Sequence, residues 1–409
     1  MSLQVYNRRH LLRSGMALAG AGLLQACANT QNTVVKTNPI SVPKKPKVQK
    51  NNNDNNILQV FASSGFAENI SRSHLGLQRL TDAGFLVTNQ EACFRRYQRF
   101  AGSDAERIAD LQNIAIGNAP VPKVLMGLRG GFGAIRLLPS VDWASLGSRM
   151  REHGTLLFGY SDVTAVQLAL LAKGNMCSFA GPMLYSEFGS PTPSLYSLQS
   201  FIDNSTNNHI EVNVTEIQNH MIRPIEGILW GGNLSTLASL AGSSFLPEIK
   251  DGILFIEDVG EQPYRLERML QTLYLNGILS RQQAIVMGNF RMGTIRDAYD
   301  SSYTLNSVIQ TLSRLAKVPI LTGYPFGHIT NKTTFPLGAQ AKIQADANGG
   351  YQISFSHYPV LDQTSLTLNN LLPSTSVTDE TLDNETSNTT EEKEEKTDNN
   401  SDALSKVIK

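Results

Sequence analysis

The stretch that decides the fold is LLFGYSDVTAVQLALLA, residues 156–172. It begins with an apolar run that ends at Gly159, and after a short corner it continues in an apolar pattern of helical spacing. A buried strand that turns directly into a helix is typical of α/β proteins. Ser161 lies in the corner, between Tyr160 and Asp162. The sequence therefore predicts a serine at the carboxyl end of a strand and at the start of a helix.

The same alternation extends on the N-terminal side of this corner. Apolar runs and helical patterns follow one another over residues 57–65, 69–85, 103–116 and 121–133. In the third segment, Ser103 and Glu106 have the spacing of a capping box. Continuous apolar strands that alternate with helices predict a parallel, Rossmann- or flavodoxin-like sheet covered on both faces. Ligands bind such sheets beyond the carboxyl ends of the strands, where the Ser161 corner and the glycine-rich loop 130–133 both lie.

The composition of the chain changes after about residue 185. Residues 191–224 are polar, and we expect them to be rich in loops and to contain the crossing between two domains. Residues 225–373 contain further apolar runs and, near their end, short alternating segments around an Asn348-Gly349-Gly350 turn. This pattern predicts a second, smaller domain that mixes sheet and helix.

The first 27 residues have the features of an export signal. Arg8 and Arg9 precede an apolar stretch, and no acidic residue occurs before position 54. The arginine pair resembles a twin-arginine signal, and Leu24–Cys27 resembles a bacterial lipobox. These features predict an exported protein on the periplasmic side, anchored to a membrane through a lipid on Cys27. The alternative is a cytoplasmic protein whose first residues have no targeting role.

These patterns divide the chain into six predicted parts. They are an export signal with lipobox (1–27), a linker (28–56), an N-terminal α/β domain with the candidate serine (57–190), the domain crossing (191–224), a C-terminal domain (225–373) and a disordered polar and acidic tail (374–409).

The overall composition suits a globular enzyme or binding protein. The chain is 41% hydrophobic and 17% charged, and its formal net charge is zero, so no global field favours nucleic acid as a partner. Beside Cys27, only Cys93 and Cys177 occur; an exported protein could join them in a disulfide, but two separately buried thiols are favoured. The chain has neither a Cys-x-x-Cys pair nor histidines with zinc-ligand spacing, so we expect no metal and no cofactor.

Ser161 allows two interpretations. A serine at this place is commonly a helix N-cap, because its oxygen accepts an unpaired backbone N–H. Alternatively it is a nucleophile on a tight corner, with Gly159 supplying an unusual backbone angle and the helix N-terminus stabilising an oxyanion. The corner resembles a nucleophile elbow, although Val163 stands where the usual Gly-x-Ser-x-Gly pattern has its second glycine.

The loop RGGFG, residues 129–133, is the second candidate element. It could be a phosphate cradle, but neither the Gly-Lys-Ser/Thr ending nor Gly-x-Gly-x-x-Gly is present. It could also be a tight turn without a ligand. If Ser161 is a nucleophile, an amide of this loop could supply an oxyanion donor.

A nucleophilic serine needs a base and a group that orients the base. Beyond the predicted export signal, His328 differs from the other five histidines because it follows an apolar segment and Gly327. The other five lie on polar or loop segments: His74, His153, His209, His220 and His357. Glu257 emerges directly from an apolar run, so it is either at a strand end or buried with a partner, for which Arg265 is one candidate.

Six blocks, in this order, resemble the LD-carboxypeptidase family of serine peptidases, which also includes microcin-immunity peptidases. The blocks are FAGSDAERIADL (100–111), LRGGFGAIRLLP (128–139), FGYSDVTA (158–165), GGNLSTLASLAG (231–242), FIEDVGEQPYRLERML (255–270) and PFGHITNKTTFPLG (325–338). The resemblance implies an α/β N-terminal domain, a smaller C-terminal domain and, in some relatives, a homodimer.

The resemblance also implies a catalytic triad of Ser161, Glu257 and His328. It further implies an oxyanion hole made by the backbone amides of Gly131, or its neighbour, and Asp162. The expected reaction is release of D-alanine from a muropeptide tetrapeptide through an acyl-enzyme. Arg129 and Arg265 are candidates for binding the substrate carboxylate, with structural ion pairs as the alternative.

Two other functions remain open at this point. A microcin-immunity-like enzyme would use the same chemistry on a peptidyl or aminoacyl nucleotide. A non-catalytic lipoprotein would only bind muropeptides, and the presence of all three triad residues argues against it.

Overall fold

The computed structural model of the chain describes residues 56–218 and 222–372. The predicted export signal, the lipidation residue Cys27 and the tail from residue 374 lie outside the described residues, as does all of the linker except Asn56.

Within these two ranges the chain forms thirteen strands and nine α-helices. The strands are β1 (Ile57–Phe61), β2 (Leu86–Thr88), β3 (Val124–Gly127), β4 (Leu156–Gly159), β5 (Ser178–Ala180), β6 (Ile210–Val214), β7 (Ile225–Asn233), β8 (Gly252–Val259), β9 (Gln282–Arg291), β10 (Ile320–Leu321), β11 (Phe335–Leu337), β12 (Ala339–Ala345) and β13 (Tyr351–Ser356). The helices are α1 (Ile70–Asp82), α2 (Asp104–Ala115), α3 (Trp143–His153), α4 (Thr164–Gly174), α5 (Leu195–Thr206), α6 (Leu234–Ser239), α7 (Pro263–Leu275), α8 (Leu305–Ala316) and α9 (Leu368–Leu371).

The first sheet has the strand order β11-β5-β4-β3-β1-β2. Strands β1 to β5 are mutually parallel, and only β11 runs antiparallel, against β5. Every residue of β3 and β4 is buried, as expected for parallel strands covered by helices on both faces. Helix α2 begins with the predicted capping box between Ser103 and Glu106. The predicted α/β fold is therefore confirmed.

The second sheet has the order β10-β9-β8-β7-β12-β13-β6. Its half formed by β7 to β10 is parallel, and the half formed by β12, β13 and β6 is antiparallel. Strand β8 is buried along nearly its whole length, so the side chains near its carboxyl end are buried, except that of the last residue. This is the mixed sheet that the sequence predicted for the C-terminal part of the chain.

The described part of segment 191–224 has more regular structure than the sequence predicted. It contains helix α5, which begins after the N-cap Ser194, and strand β6 of the second sheet. The prediction of a loop-rich segment was wrong because the many serine, asparagine and threonine residues are typical of loops, although an apolar stripe of helical spacing lies between them. Leu198, Phe201 and Ile202 form that stripe, and they are buried.

The C-terminal part also returns to the first sheet. Strand β11 extends that sheet by pairing with β5, and the Leu361 amide donates to the Ser205 carbonyl of α5 at 2.7 Å. The predicted domain boundaries stay a prediction, but the segment that follows His328 packs on elements of the N-terminal part.

Cys93 and Cys177 are separate thiols, as favoured by the sequence. Burial raises the pKa of the Cys93 thiol to about 12 and that of Cys177 to about 11.

Among the described helices, none combines the length and the apolar character needed to cross a membrane.

Candidate active site

Ser161 lies in a tight corner between β4 and α4. Its φ is +61°, which places a non-glycine residue in the left-handed region. Such a conformation costs free energy for a residue with a side chain, so the surrounding contacts must hold it. The N-cap residue of α4 is Val163, and the hydroxyl of Ser161 makes no capping hydrogen bond. The N-cap interpretation of this serine was therefore wrong.

Gly159 is required for a different reason than the one expected. It does not have a left-handed backbone angle. Instead, a side chain at this residue would lie 2.5 Å from Cγ1 of Val163. Gly159 thus lets the start of the helix fold back against the end of β4, and Ser161 takes up the sharp turn itself.

The three predicted catalytic side chains form one hydrogen-bonded row. The Ser161 Oγ lies 3.0 Å from Nε2 of His328, and Nδ1 of His328 lies 2.8 Å from Oε2 of Glu257. A carboxylate can only accept, so Nδ1 carries the imidazole proton and Nε2 is free to accept from the serine hydroxyl. This is the arrangement that a serine, a base and an orienting acid require.

Glu257 is held at the end of β8, with only 1% of its side chain exposed. Its other oxygen, Oε1, accepts from the amide of Asn233 at 3.2 Å, the residue opposite it on β7. The alternative partner Arg265 instead pairs with Glu261 at 3.6 Å. The neighbouring Asp258 accepts from the backbone and hydroxyl of another residue, Ser235, so its carboxylate is not available to the histidine.

His328 sits on a loop that several contacts hold in place. The preceding Gly327 has φ +144°, and a side chain there would lie 2.7 Å from the Asn289 carbonyl. The Tyr160 ring packs edge-on against the imidazole at 5.3 Å between centroids. Arg291 donates from Nη1 to the His328 carbonyl at 3.0 Å. With 19% of its side chain exposed, the imidazole remains accessible from one side.

The glycine-rich loop 130–133 lies directly beside the nucleophile. A side chain at Gly130 would be 2.7 Å from both Cβ and Oγ of Ser161 and 3.6 Å from the Asp162 amide nitrogen. Gly131, which has φ +124°, follows at once. The loop that contains Gly131 and the backbone at Asp162 therefore both lie next to the serine hydroxyl. That their amides donate to an oxyanion stays a prediction.

The Asp162 side chain has a structural role that the sequence did not reveal. Its Oδ2 accepts from the Ser64 hydroxyl at 2.7 Å and from the Ala134 amide at 2.9 Å. One carboxylate thus ties together the loops that follow β1, β3 and β4. Burial raises the pKa of this carboxyl above its usual value, against the opposing effect of the two hydrogen bonds.

A cleft of about 540 Å³ opens beside His328. Arg129 lines it, donating to the Phe66 carbonyl at 3.0 Å and lying 3.4 Å from the exposed Glu68 carboxylate. Arg265 is not among the residues that line this cleft. It is exposed on α7 instead, where its guanidinium contacts Tyr264 and Glu261.

A buried polar cluster forms one wall of the cleft. The Lys332 ammonium lies 2.7 Å from Glu187, which also accepts from the Tyr160 hydroxyl at 2.8 Å. The pKa of Tyr160 is raised well above its usual value, because the ring is buried and faces the Glu187 carboxylate. Since the Tyr160 ring packs against the His328 ring, this cluster helps to hold the imidazole in place.

Sequence reasoning missed four groups around the triad: Asn233, Arg291, and the pair Glu187 and Lys332. Asn233 stands within one of the recognised blocks, so its polar side chain at a strand end was the available signal.

Within residues 56–218 and 222–372, no cluster of three or more His, Cys, Asp or Glu side chains could hold a metal ion.

Comparison with known proteins assigns the chain to a family. Residues 58–181 match the model of the LD-carboxypeptidase N-terminal domain, and residues 226–343 match that of the C-terminal domain. A probable murein peptide carboxypeptidase of Bacillus subtilis is 30% identical over 64% of this chain and 81% of its own length. The microcin C7 self-immunity protein MccF of Escherichia coli is 26% identical over 70% of this chain and 90% of its own.

Among solved structures, the muramoyltetrapeptide carboxypeptidase of Oxalobacter formigenes is similar with a TM-score of 0.67. It is 36% identical, and the match covers 74% of this chain and all of the other. The two domain matches, the relatives and the shared fold lead to one conclusion: this chain belongs to the LD-carboxypeptidase family and is a peptidase of the carboxypeptidase type.

Proposed function

We propose that this carboxypeptidase is a serine LD-carboxypeptidase that releases the terminal D-alanine of a muropeptide tetrapeptide. The observation that carries the proposal is the row from Ser161 through His328 to Glu257, with contacts of 3.0 and 2.8 Å. Relatives named as murein tetrapeptide carboxypeptidases, such as that of Pseudomonas aeruginosa, support the choice of substrate.

In the first half of the reaction, Ser161 attacks the carbonyl of the L-configured centre that precedes D-alanine. His328 takes the hydroxyl proton on Nε2 while Glu257 stabilises the resulting imidazolium through Nδ1. The tetrahedral oxyanion accepts from backbone amides near Gly131 and Asp162. Loss of one such donor typically costs about 2.7–4 kcal/mol of transition-state stabilisation.

In the second half, the imidazolium donates its proton to the leaving amine, and D-alanine departs. Water then enters, gives its proton to Nε2 of His328 and attacks the acyl carbonyl. Collapse of the second tetrahedral intermediate returns the proton to Ser161 and releases the tripeptide with a free carboxylate. Every proton in this cycle passes through His328, and the mechanism uses no metal or cofactor.

The setting of the reaction is also part of the proposal. The Arg8-Arg9 and lipobox patterns favour export and a lipid anchor on Cys27 at the periplasmic side of a membrane. There the enzyme would meet muropeptides during remodelling or recycling of peptidoglycan. Fractionation of cells with mass analysis of the mature N-terminus tests this, because an unmodified cytoplasmic chain would contradict it.

One experiment separates this function from the microcin-immunity alternative. The full chain is incubated in parallel with purified tetrapeptide and with aspartyl sulfamoyl adenosine, a compound found in one MccF structure. We expect D-alanine and tripeptide from the first substrate and no turnover of the second. Turnover of the sulfamoyl adenosine alone would favour the alternative, and turnover of neither compound would refute catalysis on both substrate classes.

A further inference from the structure

We infer that Arg291 is a specificity-determining residue that, together with Arg129, binds the terminal carboxylate of the leaving amino acid. The inference rests on the proposed function, because it concerns the same cleavage. It explains why the enzyme would remove a single C-terminal residue instead of cutting within a peptide.

The position of the leaving group follows from the proton transfer. The departing amine must take its proton from Nε2 of His328, so the leaving residue lies on the imidazole side of Ser161. The cleft of about 540 Å³ that His328 lines is on this side. Its lining includes four cationic side chains and one acidic side chain: Arg72, Arg129, Arg291, Lys332 and Glu187. A free carboxylate is the group that such a lining favours.

Two of the four cations are anchored by strong contacts with the protein. The Lys332 ammonium pairs with Glu187 at 2.7 Å, and both side chains are largely buried. Arg72 donates to three backbone carbonyls at 3.0–3.1 Å, those of Tyr185, Ser186 and Gly189. Both groups keep some N–H donors, but the Lys332 charge is already neutralised by its buried carboxylate partner, and Arg72 is held in place by its three carbonyls.

The other two cations are less engaged with the protein. Arg129 makes one 3.0 Å bond to a carbonyl and a longer, 3.4 Å contact to the exposed Glu68. Arg291 is exposed, and among the residues that the structure describes it forms no ion pair. Its Nη1 donates to the His328 carbonyl, and a guanidinium has five N–H donors, so four remain for a carboxylate.

Arg291 is also held close to the base. It ends β9, where it is paired in register with Val259 at the end of β8, two residues after Glu257. The bond to the His328 backbone fixes the guanidinium near the imidazole. A carboxylate bound bidentately there would place the attached Cα and amine near Nε2, as the leaving residue requires.

The test uses two tetrapeptides that differ only at the C-terminus, one ending in D-alanine and the other in D-alaninamide. Release of the common tripeptide is measured for the full chain, for Arg291→Gln and for the control Arg314→Gln, which removes the same charge from the exposed face of α8. We expect kcat/KM of the wild type to be about 10- to 100-fold higher for the acid than for the amide.

In Arg291→Gln, kcat/KM for the acid should fall about 10- to 100-fold while that for the amide changes less than about threefold. The control should keep the wild-type ratio. Equal losses on both substrates would mean that Arg291 only supports His328, and would overturn the inference. Equal rates of the wild type on acid and amide would overturn it even if the variant failed to fold. No release from either peptide by the wild type would refute the proposed function itself.

Discussion

Replacement of Gly130 by alanine tests the contact between the glycine-rich loop and the nucleophile. The added methyl carbon would lie 2.7 Å from both Cβ and Oγ of Ser161. Carbon atoms in favourable contact are about 3.5–4.0 Å apart, so the serine or the loop must move by about 1 Å. Because Gly130 does not have a left-handed φ, the alanine backbone is not strained, and the effect comes from this overlap alone.

A displacement of about 1 Å at a reacting group can cost on the order of 10²-fold in rate. We therefore expect kcat/KM for D-alanine release to fall about 10²-fold in Gly130→Ala, measured by chromatography of the tripeptide. Overpacking should also lower the free energy of unfolding by about 1–3 kcal/mol, measured by urea denaturation.

The matched control is Gly277→Ala, in the turn that follows α7. Gly277 has φ +68°, and no heavy atom lies within 4 Å of an added side chain there. Its replacement should cost about 1–2 kcal/mol of stability through backbone strain but leave kcat/KM unchanged. If Gly130→Ala kept its activity within about threefold, or if both variants lost the same activity, the loop would not be packed on the nucleophile as described.

Three further predictions concern the triad and its surroundings. Glu257→Gln should lower kcat by about 10³- to 10⁴-fold, because the amide no longer enforces the imidazole tautomer; a loss below tenfold would contradict this. Burial raises the pKa of Asp162, so its folded state binds a proton more readily and its ionisation costs stability as pH rises above about 4. Asp162→Asn should therefore gain stability relative to the wild type between pH 4 and 7 in urea denaturation, and a pH-independent difference would refute the argument. Cys93 and Cys177, with thiol pKa values of about 12 and 11, should resist iodoacetamide at pH 8 until guanidinium unfolds the chain, as followed by peptide mass spectrometry; rapid labelling of the native protein would show that they are exposed.

Local patterns were enough to predict the corner that holds Ser161. The strand, the turn and the helix follow one another within residues 156–174, so local sequence patterns are enough to predict their order. The capping box that starts α2 was predictable for the same reason. The function of Gly159 was not, because it depends on how close a side chain of the next helix approaches.

Local patterns singled out His328 and Glu257 as candidates but could not show that they meet Ser161. His328 is 167 residues from the serine, and Glu257 is 71 residues from His328. Their assignment came from resemblance to a family, and only the fold of both sheets explains their meeting. Asn233 and Arg291 were missed because their contacts join residues on different strands and loops.

Strand β11 and helix α5 show the same limit for the fold. The three residues of β11 pair with β5 across a long stretch of chain, and no periodicity in so short a segment reveals its partner. Helix α5 has an apolar stripe, but its polar residues are also typical of loops, and many of them bond to the segment after His328. Ser197 donates to the Thr330 carbonyl at 2.9 Å, for example.

The most direct measurement of the central claim is kcat for D-alanine release by the wild type, Ser161→Ala, His328→Ala and the double variant. If the two side chains act as one proton-transfer unit, each single variant should lose at least about 10³-fold, and the double variant should lose little more. A Ser161→Ala variant that releases D-alanine at the wild-type rate would contradict the account.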